Sequence, residues 1–234
     1  MLIKKETKKI VVISGGTGYL GSAIVRKLSR CGFVVVIITR DDKEKSGFVN
    51  NDFIHYVAAD ITNTKLVEKI AKEVKNRFGK ISAIIHAASA PLVRKPLLAE
   101  SNKDFESQLL VNVTGAFNLF KFFCPIVSSG GAVIGITSQA INSGVPHSPS
   151  GSYIPAKYAL RGLLRVLSNE LKEQSIRVYD VAPAFMPGGL NRDIPEKALE
   201  FIKKKSSPKE ITSPEKIAGK ILSLINDGNK TNVI

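Results

Sequence analysis

Apolar positions come along this chain in two alternating rhythms. Continuous runs rich in β-branched residues cover 10–13, 33–39, 53–59, 81–88, 132–137 and 177–182, each bounded by glycine, aspartate, proline or polar residues. Such runs read as strands buried on both faces of a parallel sheet. Between them the spacing becomes helical. Leu20, Ile24 and Leu28 share one face of a first helix. Leu66, Ile70, Ala71 and Val74 mark a helix over 64–78, stopped by Gly79. Phe105, Leu109, Val113, Phe117 and Phe120 mark a long helix from a Ser101 or Asn102 cap to about 123. A further helix is predicted over 153–173, and a last one from the Ser213-Pro214-Glu215 start to about 226. Residues 91–99, 139–151 and 183–207 read as loops, the last irregular or weakly helical. Strand–helix alternation with crossovers of this length implies parallel strands with helices on both faces. The expected fold is α/β: one doubly wound Rossmann domain over 1–234, with a mostly parallel sheet. Ligands of such sheets sit beyond the carboxyl ends of the strands, so the loops after the strands should line one crevice.

The first of those loops, Ser14-Gly15-Gly16-Thr17-Gly18-Tyr19-Leu20-Gly21, places glycines three apart at Gly15, Gly18 and Gly21. A strand turning sharply into a helix, a phosphate approaching the backbone and a helix packed close to a sheet each exclude a side chain. The helix start then offers free N–H groups and a positive dipole end to a pyrophosphate.

Composition narrows the compartment and partners. Hydrophobic residues make up 44% of 234 and the mean hydropathy is +0.05, as for a soluble globular chain. No apolar run reaches a membrane span by this reading, and the N-terminus lacks a secretory signal. Cys31 and Cys124 read as buried or semi-buried thiols in a reducing cytoplasm. His55, His86 and His147 have no metal-ligand spacing, so no metal is expected. The formal charge of +14 raises nucleic acid as a partner. The lysines are nevertheless spread over the helices without interleaved aromatics, so no nucleic acid is expected and solvated faces account for them.

The candidate chemistry lies on the crevice loops. Tyr153 and Lys157, one helical turn apart, project side by side. Ser138 ends the fifth strand. Asn112 sits among apolar residues inside the long helix, where a polar amide needs a reason. A tyrosine works as an acid–base when its pKa falls toward working pH, and a nearby ammonium favours the phenolate. A serine beside it can hold a carbonyl oxygen. The set points to carbonyl–alcohol interconversion with a nicotinamide carrying the hydride.

Together these motifs resemble the short-chain dehydrogenase/reductase family over nearly the whole chain. The resemblance implies that Ser138, Tyr153 and Lys157 are catalytic and that Asn112 supports a proton relay. It implies cofactor contacts from Gly15, Thr17, Gly18, Tyr19, Leu20 and Gly21, and from Asp60 and Ile61 at the adenine end. Ala87, in His86-Ala87-Ala88, Pro183 and Phe185, and Tyr153 and Lys157 themselves complete the cofactor set. Three departures stand out. The glycine spacing is that of the family's extended branch, without that branch's added substrate domain. The loop after the sixth strand reads Pro183-Ala184-Phe185-Met186-Pro187 in place of a Pro-Gly. The chain stops at Asn232-Val233-Ile234, short of the family's usual tail.

The second strand ends at Thr39-Arg40 rather than at an acid. Arg40 can pair with a 2′-phosphate, which favours NADP over NAD; the alternative leaves Arg40 in solvent and gives the ribose to Asp41 or Asp42. The expected substrate is a small carbonyl or alcohol. A β-ketoacyl thioester on an acyl carrier protein is one candidate, because the basic Lys203 to Lys205 run falls in the expected lid. Val145, Pro146, Ile154, Phe185 and Met186 suggest a partly apolar pocket. A homodimer or homotetramer is expected through the long helices, with Phe122 or Leu164 serving as contacts or as ordinary core. A non-catalytic NADP-binding sensor or scaffold is the competing reading.

Overall fold

The structure, a computed structural model, describes residues 8–40, 51–142, 151–205 and 211–227. Asp41, Asp42, Val145, Pro146, the final Asn232-Val233-Ile234 and the side chains of Lys203 and Lys205 lie outside what is described. Six strands form the sheet: β1 (Ile10–Ser14), β2 (Val34–Thr39), β3 (Ile54–Ala58), β4 (Ile81–His86), β5 (Val127–Ile136) and β6 (Arg177–Val181). They run parallel in the order β3-β2-β1-β4-β5-β6. The chain leaves β1 in one direction and returns at β4 on its other side. That reversal opens the crevice beyond Ser14 and His86, which are paired neighbours in register. The doubly wound single-domain fold expected from the alternation is the one found.

The helices are α1 (Tyr19–Arg30), α2 (Thr64–Phe78), α3 (Asn102–Leu109), α4 (Gly115–Phe123), α5 (Tyr153–Glu170), α6 (Glu196–Lys205) and α7 (Pro214–Asn226). Alternating residues of each central strand feed two cores. Val12, Ile84 and Val133 pack with residues of α2, α4 and α5. Val11, Ile85 and Ile134 pack with α1 and α7. This period-two division is why the strands read as continuous apolar runs.

Several elements differ from the periodicity. β5 begins at Val127, not at Ala132, because Gly130-Gly131 loops out within the strand rather than before it. Its register against β4 jumps from Ile81↔Val127 to Ala83↔Ala132, and Gly130 has φ +75°. The long helix is broken by one π turn, Leu110–Thr114, between α3 and α4, with Ser101 as its cap. Its buried face carries Gln108, Asn112, Ala116, Leu119 and Phe120. Phe105, Leu110 and Phe117 are instead exposed, so the stripe Phe105–Leu109–Val113–Phe117 is not the core face. The apolar stripe runs one position off the buried face from Phe105 onward, before the π turn begins, and rejoins the core only at Phe120.

The run Asn102–Ile126 is, after all, long and apolar enough to pass for a span, with mean hydropathy 1.5 over its best window. Its packing against the sheet and α2 makes it a core helix. Leu164 is fully buried core, not a surface contact, and Cys31 is exposed where a semi-buried thiol was expected; Cys124 is buried. Within 183–207, α6 is a full helix.

Candidate active site

The glycine loop forms a cradle by backbone alone. Gly15 adopts φ +73°, and Gly18 N–H donates to Gly15 O at 3.1 Å, closing a tight turn. Gly18 caps α1 in extended conformation, with no side-chain cap bond. A Cβ on Gly15 would lie 2.5 Å from Ala88 N, and one on Gly21 would lie 2.0 Å from Gly15 O. Neither neighbour can retreat, since both are backbone. Thr17 Oγ1 lies 3.4 Å from Thr39 Oγ1, which sets the loop against the end of β2 and beside exposed Arg40. Leu20 packs on the core, while Tyr19 turns outward and donates to Pro187 O at 2.8 Å.

Past β3, Asp60 Oδ1 accepts from Thr62 N and Oγ1 at 2.9 and 2.7 Å, which fixes the carboxylate there. Ile61 is buried, and its carbonyl accepts from Asn118 Nδ2 on α4 at 3.0 Å. Ala87 N donates to Ser14 O at 3.0 Å, continuing the β1–β4 ladder into the crevice. After β6, Pro183 is buried, its carbonyl accepting from Gln139 N at 2.9 Å. Phe185 bridges to Ile211.

The catalytic candidates gather at the ends of β4, β5 and β6. Ser138 caps a short 3-10 turn, Gln139–Ile141, and its Oγ accepts from Ala140 N at 3.2 Å. Tyr153 opens α5 with its hydroxyl near Ser138. Burial raises the phenol above its ordinary pKa, and the nearby serine hydroxyl only partly opposes that. The adjacent ammonium is not among the groups that move it. The expectation of a phenol already made acidic by Lys157 is therefore corrected: desolvation wins.

Lys157 is itself buried. Its Nζ lies 5.5 Å from the Tyr153 ring centroid and donates to Ile136 O at 2.9 Å. That bond uses one of three donors. Burial pulls its pKa down to about 7, with Asp180 on β6 pushing the other way. Asp180 is held by Arg161 Nε at 2.6 Å and by the Thr137 hydroxyl. Asn112 lies in the π turn that packs on α5; its Nδ2 donates to Gln108 O and Oε1 at 3.0 and 2.9 Å, while its buried Oδ1 has no partner among the described residues.

In the sequence, His86 stands out only as part of a motif. Fully buried at the end of β4, it places Nδ1 2.9 Å from Ser14 Oγ and leaves Nε2 without a partner among the described residues. Burial, then the nearby Lys157 charge, lower its pKa to about 3, so it is neutral. The Asp180–Arg161 pair and Asn118 are likewise absent from the sequence reading. Their only signal there is a polar residue inside an apolar run, such as Asp180 in Val178-Tyr179-Asp180-Val181. A pocket of about 320 Å³ lies between Gln139, Asn142, Ala184, Thr212 and Lys216; none of the four catalytic candidates lines it.

A family model described as Enoyl-(Acyl carrier protein) reductase matches residues 18–232. The 3-oxoacyl-[acyl-carrier-protein] reductase FabG of Buchnera aphidicola subsp. Baizongia pistaciae is 30% identical, over 96% of this chain and 93% of its own. Secoisolariciresinol dehydrogenase of Forsythia intermedia is 27% identical over 79% of this chain and 68% of its own. Among solved structures, a short-chain dehydrogenase/reductase from Serratia marcescens superposes with TM-score 0.84 at 22% identity, covering 96% of this chain and 94% of that one.

Proposed function

The chain belongs to the short-chain dehydrogenase/reductase family and is an NAD(P)-dependent oxidoreductase; from that premise we propose that it interconverts a carbonyl and a secondary alcohol with NADP(H). The observation that carries the reading is the meeting of Ser138, Tyr153 and Lys157 at the strand ends that also bear the glycine cradle. The residues fit a dinucleotide. The space that a Cβ of Gly15 or Gly21 would fill is kept clear, and the start of α1 turns N–H groups toward a pyrophosphate. Gly15, Thr17, Gly18, Tyr19, Leu20 and Gly21 would hold the phosphates, Asp60 and Ile61 the adenine, and Ala87, Tyr153, Lys157, Pro183 and Phe185 the nicotinamide half. Arg40 beside Thr17 and Thr39 would pair with a 2′-phosphate.

When bound, the nicotinamide supplies the hydride. The protein handles the proton. Ser138 Oγ donates to the substrate carbonyl oxygen and holds it against the Tyr153 hydroxyl. Tyr153 passes its proton to the nascent alkoxide or, in the other direction, removes one from an alcohol. Lys157, with donors beyond the one on Ile136 O, would bond the ribose and would stabilise the phenolate once the site is charged. Asn112 Oδ1, buried and without a partner among the described residues, would accept a hydrogen bond from a water of the relay that carries the proton to and from solvent.

Within this class the acyl-thioester reading is supported by the relative named 3-oxoacyl-[acyl-carrier-protein] reductase at 30% identity, with an acyl carrier protein as the partner. Two free cysteines suit a reducing cytoplasm. The exposed Phe105, Leu110 and Phe117 on the long helix suit a second copy of the chain, as a homodimer or homotetramer. Light scattering on the purified protein should read a mass of two or four chains; a monomer at micromolar concentration would reject that assembly.

The decisive assay follows NADPH oxidation against a panel of ketones, quinones and acyl thioesters. Tyr153→Phe should cut turnover by about 10²–10⁴-fold with cofactor binding retained. Saturable NADPH binding with no oxidation on any substrate would instead favour the sensor or scaffold.

A further inference from the structure

The helix that carries Tyr153 and Lys157 is not capped by its own residues. Ser152, at its N-cap position, has φ −67° and ψ −15° and makes no side-chain cap bond; the first turn contains no acid. Pro155 removes one orphan donor of that turn. One of the remaining donors is met from elsewhere in the chain. Ser152 N donates to both carboxylate oxygens of Glu100, at 3.2 and 3.1 Å. The approach is tight. A Cβ on Gly151 would lie 1.6 Å from Glu100 Oε1, so a side chain there would displace the carboxylate from this position, and the φ of +33° also favours glycine. Ser152 is buried and its Oγ has no partner among the described residues, so the serine does not cap the turn itself.

Glu100 is itself anchored. Its N–H donates to Leu97 O at 3.2 Å, and the next residue, Ser101, caps α3. The same helix leads into the π turn that holds Asn112. One residue therefore joins the start of the Asn112 helix to the start of the Tyr153 helix. A charge-assisted bond to a helix N-terminus is among the stronger polar contacts, and here it acts on the backbone N–H directly before Tyr153.

Building on the proposed oxidoreductase reading, we infer that Glu100 is a positioning residue for Tyr153: its carboxylate, admitted by Gly151, sets the first turn of α5 so that the phenol meets Ser138 and the substrate oxygen. The inference predicts a specific pattern. Glu100→Ala should lower kcat by about tenfold to a hundredfold with a much smaller change in KM for NADPH, because misplacing the reacting group costs rate while the glycine cradle is untouched. Glu100→Gln, which keeps an acceptor oxygen, should restore most of kcat. Gly151→Ala should reproduce the Glu100→Ala loss with the carboxylate still in the sequence.

Amide hydrogen exchange supplies a readout independent of turnover. Residues 152–157 should exchange faster in Glu100→Ala and Gly151→Ala, with α7 unaltered. Wild-type kcat in Glu100→Ala, or unchanged exchange at 152–157, would overturn the inference; so would a Glu100→Gln variant as damaged as Glu100→Ala. If the wild-type protein turns over no carbonyl, the proposed function falls, and the exchange contrast still decides whether Glu100 sets this turn.

Discussion

The two halves of the crevice are built from opposite materials. Around the glycine loop, the working surface is backbone, and what matters is the absence of side chains at Gly15 and Gly21. Around the end of β4, it is a set of buried polar side chains from four elements: Ser14 of β1, His86 of β4, Asn112 of the π turn and Lys157 of α5 are all buried, with Lys157 the most exposed of them at 3%. The cradle has little electrostatic tension, since its groups are backbone dipoles already ordered by the turn. The corner holds an ammonium and an imidazole, both driven toward neutrality by desolvation, and an amide oxygen without a partner among the described residues. On the proposed reading, recognition of the cofactor's constant part rests on shape. Proton handling requires polar groups kept in an environment that disfavours them, which costs stability.

Substitutions should separate the two halves sharply. The largest effect belongs to the cradle. Gly21→Ala forces a Cβ to within 2.0 Å of Gly15 O. It should cost about 3 kcal/mol in urea unfolding and abolish dinucleotide binding in a fluorescence titration, because neither backbone can yield. Retained binding would show that the loop is more compliant than its geometry implies.

The corner should behave in the opposite way. Lys157 titrates near 7 when folded, against 10.5 for a free lysine. Between those limits the unfolded chain holds the extra proton, so stability rises with pH across that window and is lost as pH falls through it. Below it, both states are protonated and the fold carries the full cost of a buried charge. Lys157→Met should therefore raise Tm at pH 6, with the gain shrinking toward pH 10, while turnover falls by about 10²–10⁴-fold. A Tm that drops at pH 6 would mean that the bond to Ile136 O outweighs desolvation.

The smallest effect lies at the rim. Arg40→Ala should weaken NADPH binding by about tenfold and leave NADH nearly unchanged, as for one exposed charge-assisted contact. Equal loss for both would remove Arg40 from cofactor choice.

How much of this is legible in the sequence depends on how local the cause is. The β1 strand, glycine loop and α1 can be read directly, because turn, strand and helix signals are adjacent in sequence and agree. The Ser213-Pro214 start of α7 is readable for the same reason. The Phe105–Phe117 stripe misleads because the buried face is built on the polar Gln108 and Asn112, one position away, which an apolar pattern does not count. The periodicity cuts β5 short because Gly130-Gly131 is equally good grammar for a turn and for a bulge. At the site, Ser138, Tyr153, Lys157 and Asn112 stand out by type and spacing. Glu100 and Asp180 do not, since each acts on a partner 52 or 19 residues away.

What the sequence alone determined is therefore the periodic part: the alternation of buried strands and amphipathic helices, the doubly wound order that follows, and the glycines that only a close backbone approach explains. The tertiary structure decided the charge states and the partners. Whether Tyr153 is acidified or held neutral, and whether Lys157 keeps its proton, depend on how much water the packed helices exclude and on which distant carboxylate they bring alongside. Local pattern encodes conformation, but desolvation and Coulomb interaction are properties of three-dimensional proximity, which no spacing along the chain contains.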